Sequence, residues 1–132
     1  MAISHPPIRV SPAEIEKIEI NARFWHDENP GNTYHSARVT IFETGGYMTV
    51  WHTGMRYGSN QAYLQTVQDL LEHLGVATPE TRDNGLKEPF WRQMERLGID
   101  THKEQEAVAA RSDLHDGAAP RGFRNLDGYR DM

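Results

Sequence analysis

His26, His35 and His52, together with Asp27 and Glu28, are the side chains best suited to acid–base chemistry or metal ligation. Imidazole titrates near neutrality, and imidazole with carboxylate suits zinc, manganese or iron. Their spacing matches no ligand signature: there is no His-Glu-x-x-His helix and no paired-cysteine element. We therefore expect no metal site, no cofactor and no catalytic residue. A second set, Arg23, Arg38 and Arg56 with Trp25, Tyr34, Tyr47, Trp51 and Tyr57, pairs guanidinium groups that bind phosphate with rings whose π-faces stack on bases or anchor a partner. Together with His35 these residues are the candidate binding set. Gly54-Met55-Arg56-Tyr57-Gly58 precedes a helix start, where free N–H groups favour an anion. It lacks the lysine and glycine spacing of a phosphate loop, so it also reads as a structural turn. No Gly-x-Ser-x-Gly elbow is present.

The elements that must position these residues follow from periodicity. Ile18, Ile20, Ala22 and Phe24 alternate with Lys17, Glu19, Asn21 and Arg23, the period of a strand with one face on a core. Asp27 to Asn32 supplies turn chemistry. Ala37, Val39 and Ile41 alternate in a second strand, and Thr44-Gly45-Gly46 leads into a third, Tyr47 to Thr53. Tyr63, Val67, Leu70, Leu71 and Leu74 then fall at helical spacing, with Ser59 or Asn60 as N-cap and Gly75 past the end.

The expected fold is α+β: a three-stranded antiparallel meander packed by one helix (βββα), followed by one or two short C-terminal helices and an extended tail. The core is expected to join Ile18, Ile20, Ala22, Val39, Ile41, Met48 and Val50 to the helix stripe. The face away from the helix then carries Arg23, Trp25, Tyr34, Ser36, Arg38, Phe42, Tyr47, Thr49 and Trp51. Either this face is a binding surface, or a helix over Glu88–Gly98, with Phe90, Trp91, Met94 and Leu97 as its stripe, folds back to cover it. The stretch His102–Ser112 is rich in helix formers but has almost no apolar face. The expected divisions are an N-terminal arm (1–13), a core domain (14–76), a linker (77–86), short C-terminal helices (87–112) and a flexible or partner-docked tail (113–132).

A length of 132 residues suits one domain with a modest core. The net charge is −5, with 5 basic against 8 acidic side chains in residues 1–76 and 9 against 11 in 77–132, which is not the basic excess of a general nucleic-acid binder. Cysteine is absent, which removes disulfides and thiol chemistry and fits a reducing compartment. Neither a membrane span nor the basic-then-apolar plan of a secretion signal is read from the sequence. A cytoplasmic setting without membrane association is expected.

The residues Trp25, Gly31-Asn32-Thr33-Tyr34-His35-Ser36 and Tyr57-Gly58, with Tyr63-Leu64-Gln65-Thr66, resemble a group of small tailed-bacteriophage accessory proteins of unknown function. That group shares a Gly-Asn-Thr-Tyr-His-Ser hairpin and a Tyr-Gly…Tyr-x-x-Thr helix start. The resemblance covers about residues 18–76 and implies phage origin and interference with a host protein or defence system, in the host cytoplasm. Three strands, a glycine-bearing loop and a helix are also similar in topology to the latter part of a double-stranded-RNA-binding domain. That family places lysines at the helix start, where this chain has Ser59-Asn60-Gln61-Ala62-Tyr63.

The functional expectation is thus a non-enzymatic phage protein that binds and modulates or inhibits a host macromolecule, as in counter-defence. A host protein is the expected partner, with a homo-oligomer through the arms as a further one. The alternative is a nucleotide- or nucleic-acid-binding module that uses the aromatic and arginine face.

Overall fold

The computed structural model describes residues 11–28, 31–58, 61–78 and 88–115. The expected arm over residues 1–10, the Ser59 and Asn60 caps, most of the 77–86 linker and the tail beyond residue 115 lie outside the described residues.

The described residues form a mixed α+β architecture, with five strands and two α-helices among them. Strands β1 (Ile15–Asp27), β2 (Asn32–Glu43) and β3 (Met48–His52) pair antiparallel in sequence order. A two-residue strand, β4 (Arg56–Tyr57), continues the β3 edge along β2. Between them, Thr53 Oγ1 accepts from the Ala37 N–H at 3.0 Å, and the Thr53 N–H donates to the Ala37 carbonyl. The interruption therefore leaves no β2 backbone group unpaired there. Helix α1 (Ala62–His73) covers one face, and α2 (Phe90–Arg96) follows. Gly98, at φ +76°, reverses the chain after α2 so that the Ile99 N–H reaches the Met94 carbonyl. That turn launches β5 (Asp100–Val108), which pairs parallel to β1 and completes the order β3-β2-β1-β5.

The core lies where the alternation of β1 and β2 places it: Ile18, Ile20, Ala22, Ala37, Val39 and Ile41 against Val67, Leu70, Leu71 and Leu74. Burial of these side chains, at roughly 1.5–3 kcal/mol each, is what makes a single helix and sheet cohere. Two buried glutamines attach α2. The Gln68 Oε1 accepts from the Phe90 N–H at 2.7 Å, and the Gln93 side chain bridges the Thr78 backbone and the Glu88 carbonyl. Phe90 and Met94 are fully buried on the helix side. α2 thus packs with α1 rather than covering the opposite sheet face.

Three expectations need correction. The stretch His102–Ser112, read as helical, is mostly strand β5. Its Ala, Glu and Gln favour a helix, but pairing with β1 from Lys17 to Trp25 overrides propensity, and its charged side chains protect an exposed edge. The sheet is therefore not a simple meander. Strand β3 also has the opposite facing to the one expected. Its register sets Thr49 opposite Ile41 and Trp51 opposite Val39, so these two turn to the helix side. Met48 and Val50, expected in the core, point outward and are 57% and 42% exposed. Finally, Trp91 is not an anchor of α2: it is 38% exposed, set edge-on to Phe90 and 4.9 Å beneath the Lys103 ammonium.

Trp91→Ala should accordingly cost no more than about 1 kcal/mol, the scale of an exposed cation–π contact. Urea denaturation measures it, and a loss of several kcal/mol would place the ring in the core.

Candidate binding face

The motif residues separate by strand alternation. Tyr34 and Ser36 point to the face without helices, and His35 points under α1. The His35 Nδ1 lies 2.9 Å from the Gly58 carbonyl and its Nε2 2.8 Å from Thr66 Oγ1. A carbonyl only accepts, so Nδ1–H donates to Gly58, while Nε2 pairs with the Thr66 hydroxyl. Gly58, at φ +133°, is required by space as well as conformation. A Cβ there would lie 2.6 Å from that of Ala62 and 3.5 Å from the His35 ring. The Gly-Asn-Thr-Tyr-His-Ser and Tyr-Gly…Tyr-x-x-Thr segments are thus joined by a buried clasp between β2, the β4–α1 connection and α1.

Arg56 is also on the helix side. It is buried, and its guanidinium lies 3.5 Å from Asp69 Oδ2 on α1. Trp51 packs against the core. Both were expected to be accessible, and the register of β3 and β4 with β2 turns them inward.

On the opposite face, three rings form a row across β1, β2 and β4. Trp25 stacks on Tyr34 at 5.7 Å between centroids, and Tyr34 meets Tyr57 edge-on at 5.7 Å. Tyr34 is nearly buried between its neighbours while Tyr57 is 49% exposed. Along the same edge, Tyr47, Met48 and Val50 are exposed. The alternation that places Tyr57 outward does the same for Met48 and Val50, so aromatic and aliphatic side chains share one side of the β3–β4 edge.

Beside this row the face is polar. Arg23 Nε donates to Glu106 Oε1 at 2.9 Å, and its Nη1 donates to the Asp113 carbonyl at 2.9 Å. The Ser36 Oγ accepts from the His115 N–H at 2.7 Å. These bonds draw the 3₁₀ turn Arg111–Asp113 and the residues after it across β1 and β2. Arg38 and His52 are register partners next to this crossing, and the rings of His52 and His115 lie 6.5 Å apart. Burial, together with the positive charges of Arg23, Arg38 and His52, holds the His115 ring well below its ordinary range, down to about 4, while a hydrogen bond to the Asn21 backbone opposes the shift. Sequence reasoning missed His115, because Asp113 onward carries no periodicity that predicts docking on the sheet.

The three histidines first considered do not converge. His35 is in the clasp, His52 is on the polar face, and the His26 Nδ1 lies 2.9 Å from Thr33 Oγ1 at the far end of the sheet. Among the described residues no group of three His, Asp or Glu side chains is arranged to hold a metal ion. Near His26 an open groove of about 1020 Å³ runs between the ends of β1 and β5, lined by Phe24, Glu28, Gln105 and Ala107 among others. No helix among the described residues is long and apolar enough to cross a membrane. No family model, no curated protein and no solved structure matches this chain.

Proposed function

We infer that this chain is a non-enzymatic phage accessory protein that binds and modulates a host protein in the host cytoplasm. The observation that carries the binding reading is the set of exposed side chains along the β3–β4 edge, Tyr47, Met48 and Val50 toward one end and Tyr57, backed by the Trp25–Tyr34 stack, toward the other. Exposed apolar patches on one edge mark interaction sites, and aromatic residues with methionine are enriched at interface centres. An edge strand also offers unpaired backbone groups for strand addition by a partner. The phage origin rests on the hairpin and helix-start motifs. Counter-defence is the role that origin suggests.

Met48→Glu/Val50→Glu should remove capture of the host protein that the wild-type chain retains, by at least about 2 kcal/mol, or roughly thirtyfold in affinity. Both side chains are already in solvent, so folding should be preserved. Equal capture by the double variant would rule out this strip as the interface.

The nucleic-acid reading is favoured by the aromatic row with Arg38 at its flank. It loses support from the burial of Arg56, from the packing of Trp51 against the core on the helix side and from the pairing of Arg23 with Glu106. In that case Trp25→Ala should weaken binding of a single-stranded oligonucleotide by roughly 1–3 kcal/mol.

A further inference from the structure

The polar end of the open face collects hydrogen-bond donors without a matching acid. Among the described residues Arg38 has no hydrogen-bond or ion-pair partner, although it is only partly exposed. His52 lies across from it on β3, and the His115 ring closes the cluster from above. His115 is only 8% exposed, and its Nε2 is buried without a hydrogen-bond partner. An unpaired buried polar atom beside an unpaired cation is costly; an anion satisfies the cation directly, and the ring once Nε2 is protonated. Among the described acids of this face, Glu106 is held by Arg23, Glu19 by Lys17, the Asp113 carboxylate accepts from the Ala110 N–H, and Glu104 stands on β5, on the far side of β1 from Arg38.

We propose that Arg38, His52 and His115 form a binding site for a phosphate-type oxyanion, either free or as the phosphate of a nucleotide. Donors arrive from β2, from β3 and from the segment crossing above them, which suits a tetrahedral oxyanion better than a planar carboxylate. The bound anion offsets the positive field of Arg23, Arg38 and His52. The His115 Nε2 then takes a proton from solvent and donates it to an anion oxygen, so binding takes up a proton. This site goes beyond the partner-binding strip and uses none of its residues.

Sulfate is the informative first probe, because it stays doubly charged through the mildly acidic range in which the ring responds. Calorimetric titration of the full chain should show binding that tightens about tenfold for each pH unit of fall between the ring pKa of the bound and of the free protein. The His115 ring resonances should shift on titration. Arg38→Gln should weaken binding at least tenfold and Arg38→Lys should restore most of it, which separates lost charge from lost folding. His115→Gln should flatten the pH dependence while weaker binding persists. Inorganic phosphate and adenosine monophosphate then distinguish the sources: equal affinity assigns a free oxyanion, and tighter nucleotide binding assigns a nucleotide. Absence of binding at 10 mM, or binding that neither Arg38→Gln nor His115→Gln alters, overturns the proposal.

Discussion

His35→Ala is expected to destabilise the protein by about 3–5 kcal/mol, because it removes a fully buried ring and its hydrogen bonds to the Gly58 carbonyl and the Thr66 hydroxyl. The ring touches the core on both sides: Phe24 lies 6.3 Å away by ring centroids, and Thr66 and Gly58 occupy its two nitrogens. Alanine leaves a void there and an unpaired Gly58 carbonyl. Thr66→Val keeps the shape but deprives Nε2 of its partner, so it should cost a smaller amount, about 1–3 kcal/mol. Gly58→Ala should act on the same clasp, since its methyl group overlaps that of Ala62 and the backbone is held at φ +133°. His26→Ala, at an exposed ring, should stay within about 0.5 kcal/mol. Urea denaturation of the four variants checks the series. If His35→Ala left stability unmoved, the motif would have to be a functional site rather than a clasp.

This clasp explains what the sequence could convey and what it could not. Gly31 to Ser36 stands out because several constraints coincide on few residues. Gly31 takes a positive φ in the turn, Tyr34 stacks outward and His35 bonds inward. Residue types therefore announce that the segment matters without revealing that its histidine is structural. The β1 and β2 alternation and the Val67–Leu74 stripe were legible because apolar side chains recur on one face of each and more polar ones on the other. Strand β3 was ambiguous. Both phases of Met48-Thr49-Val50-Trp51 contain large apolar side chains, and only pairing with β2 selects Thr49 and Trp51 as the inner pair. Strand β5 was illegible for a different reason. It is a charged edge with little burial on either face, and its conformation is dictated by β1, some eighty residues earlier in sequence. The exposed β3–β4 edge inherits the first difficulty, since it exists only because β3 faces outward with Met48 and Val50.

The docking of His115 should make stability fall with acid. In the unfolded chain this histidine titrates near its ordinary 6.5, whereas in the fold it is held down to about 4, chiefly by burial and then by Arg23, Arg38 and His52. The folded state thus binds fewer protons than the unfolded one between these values, and stability rises with pH in that window. The contribution is fully present above about 6.5 and is lost progressively as the pH falls toward 4, on the order of 3 kcal/mol in all. Carboxylates titrate in the lower part of the same range, so the measurement is the difference between wild type and His115→Gln, by urea denaturation at successive pH values. The two should diverge near neutrality and converge toward pH 4, as the wild type loses its advantage. Parallel curves would mean that the ring is solvated and that the segment crossing β1 and β2 does not hold it. The experiment requires a buffer free of sulfate and phosphate. An oxyanion between Arg38 and His115 would let the ring charge without penalty, and adding sulfate should then recover part of the stability that acid removes.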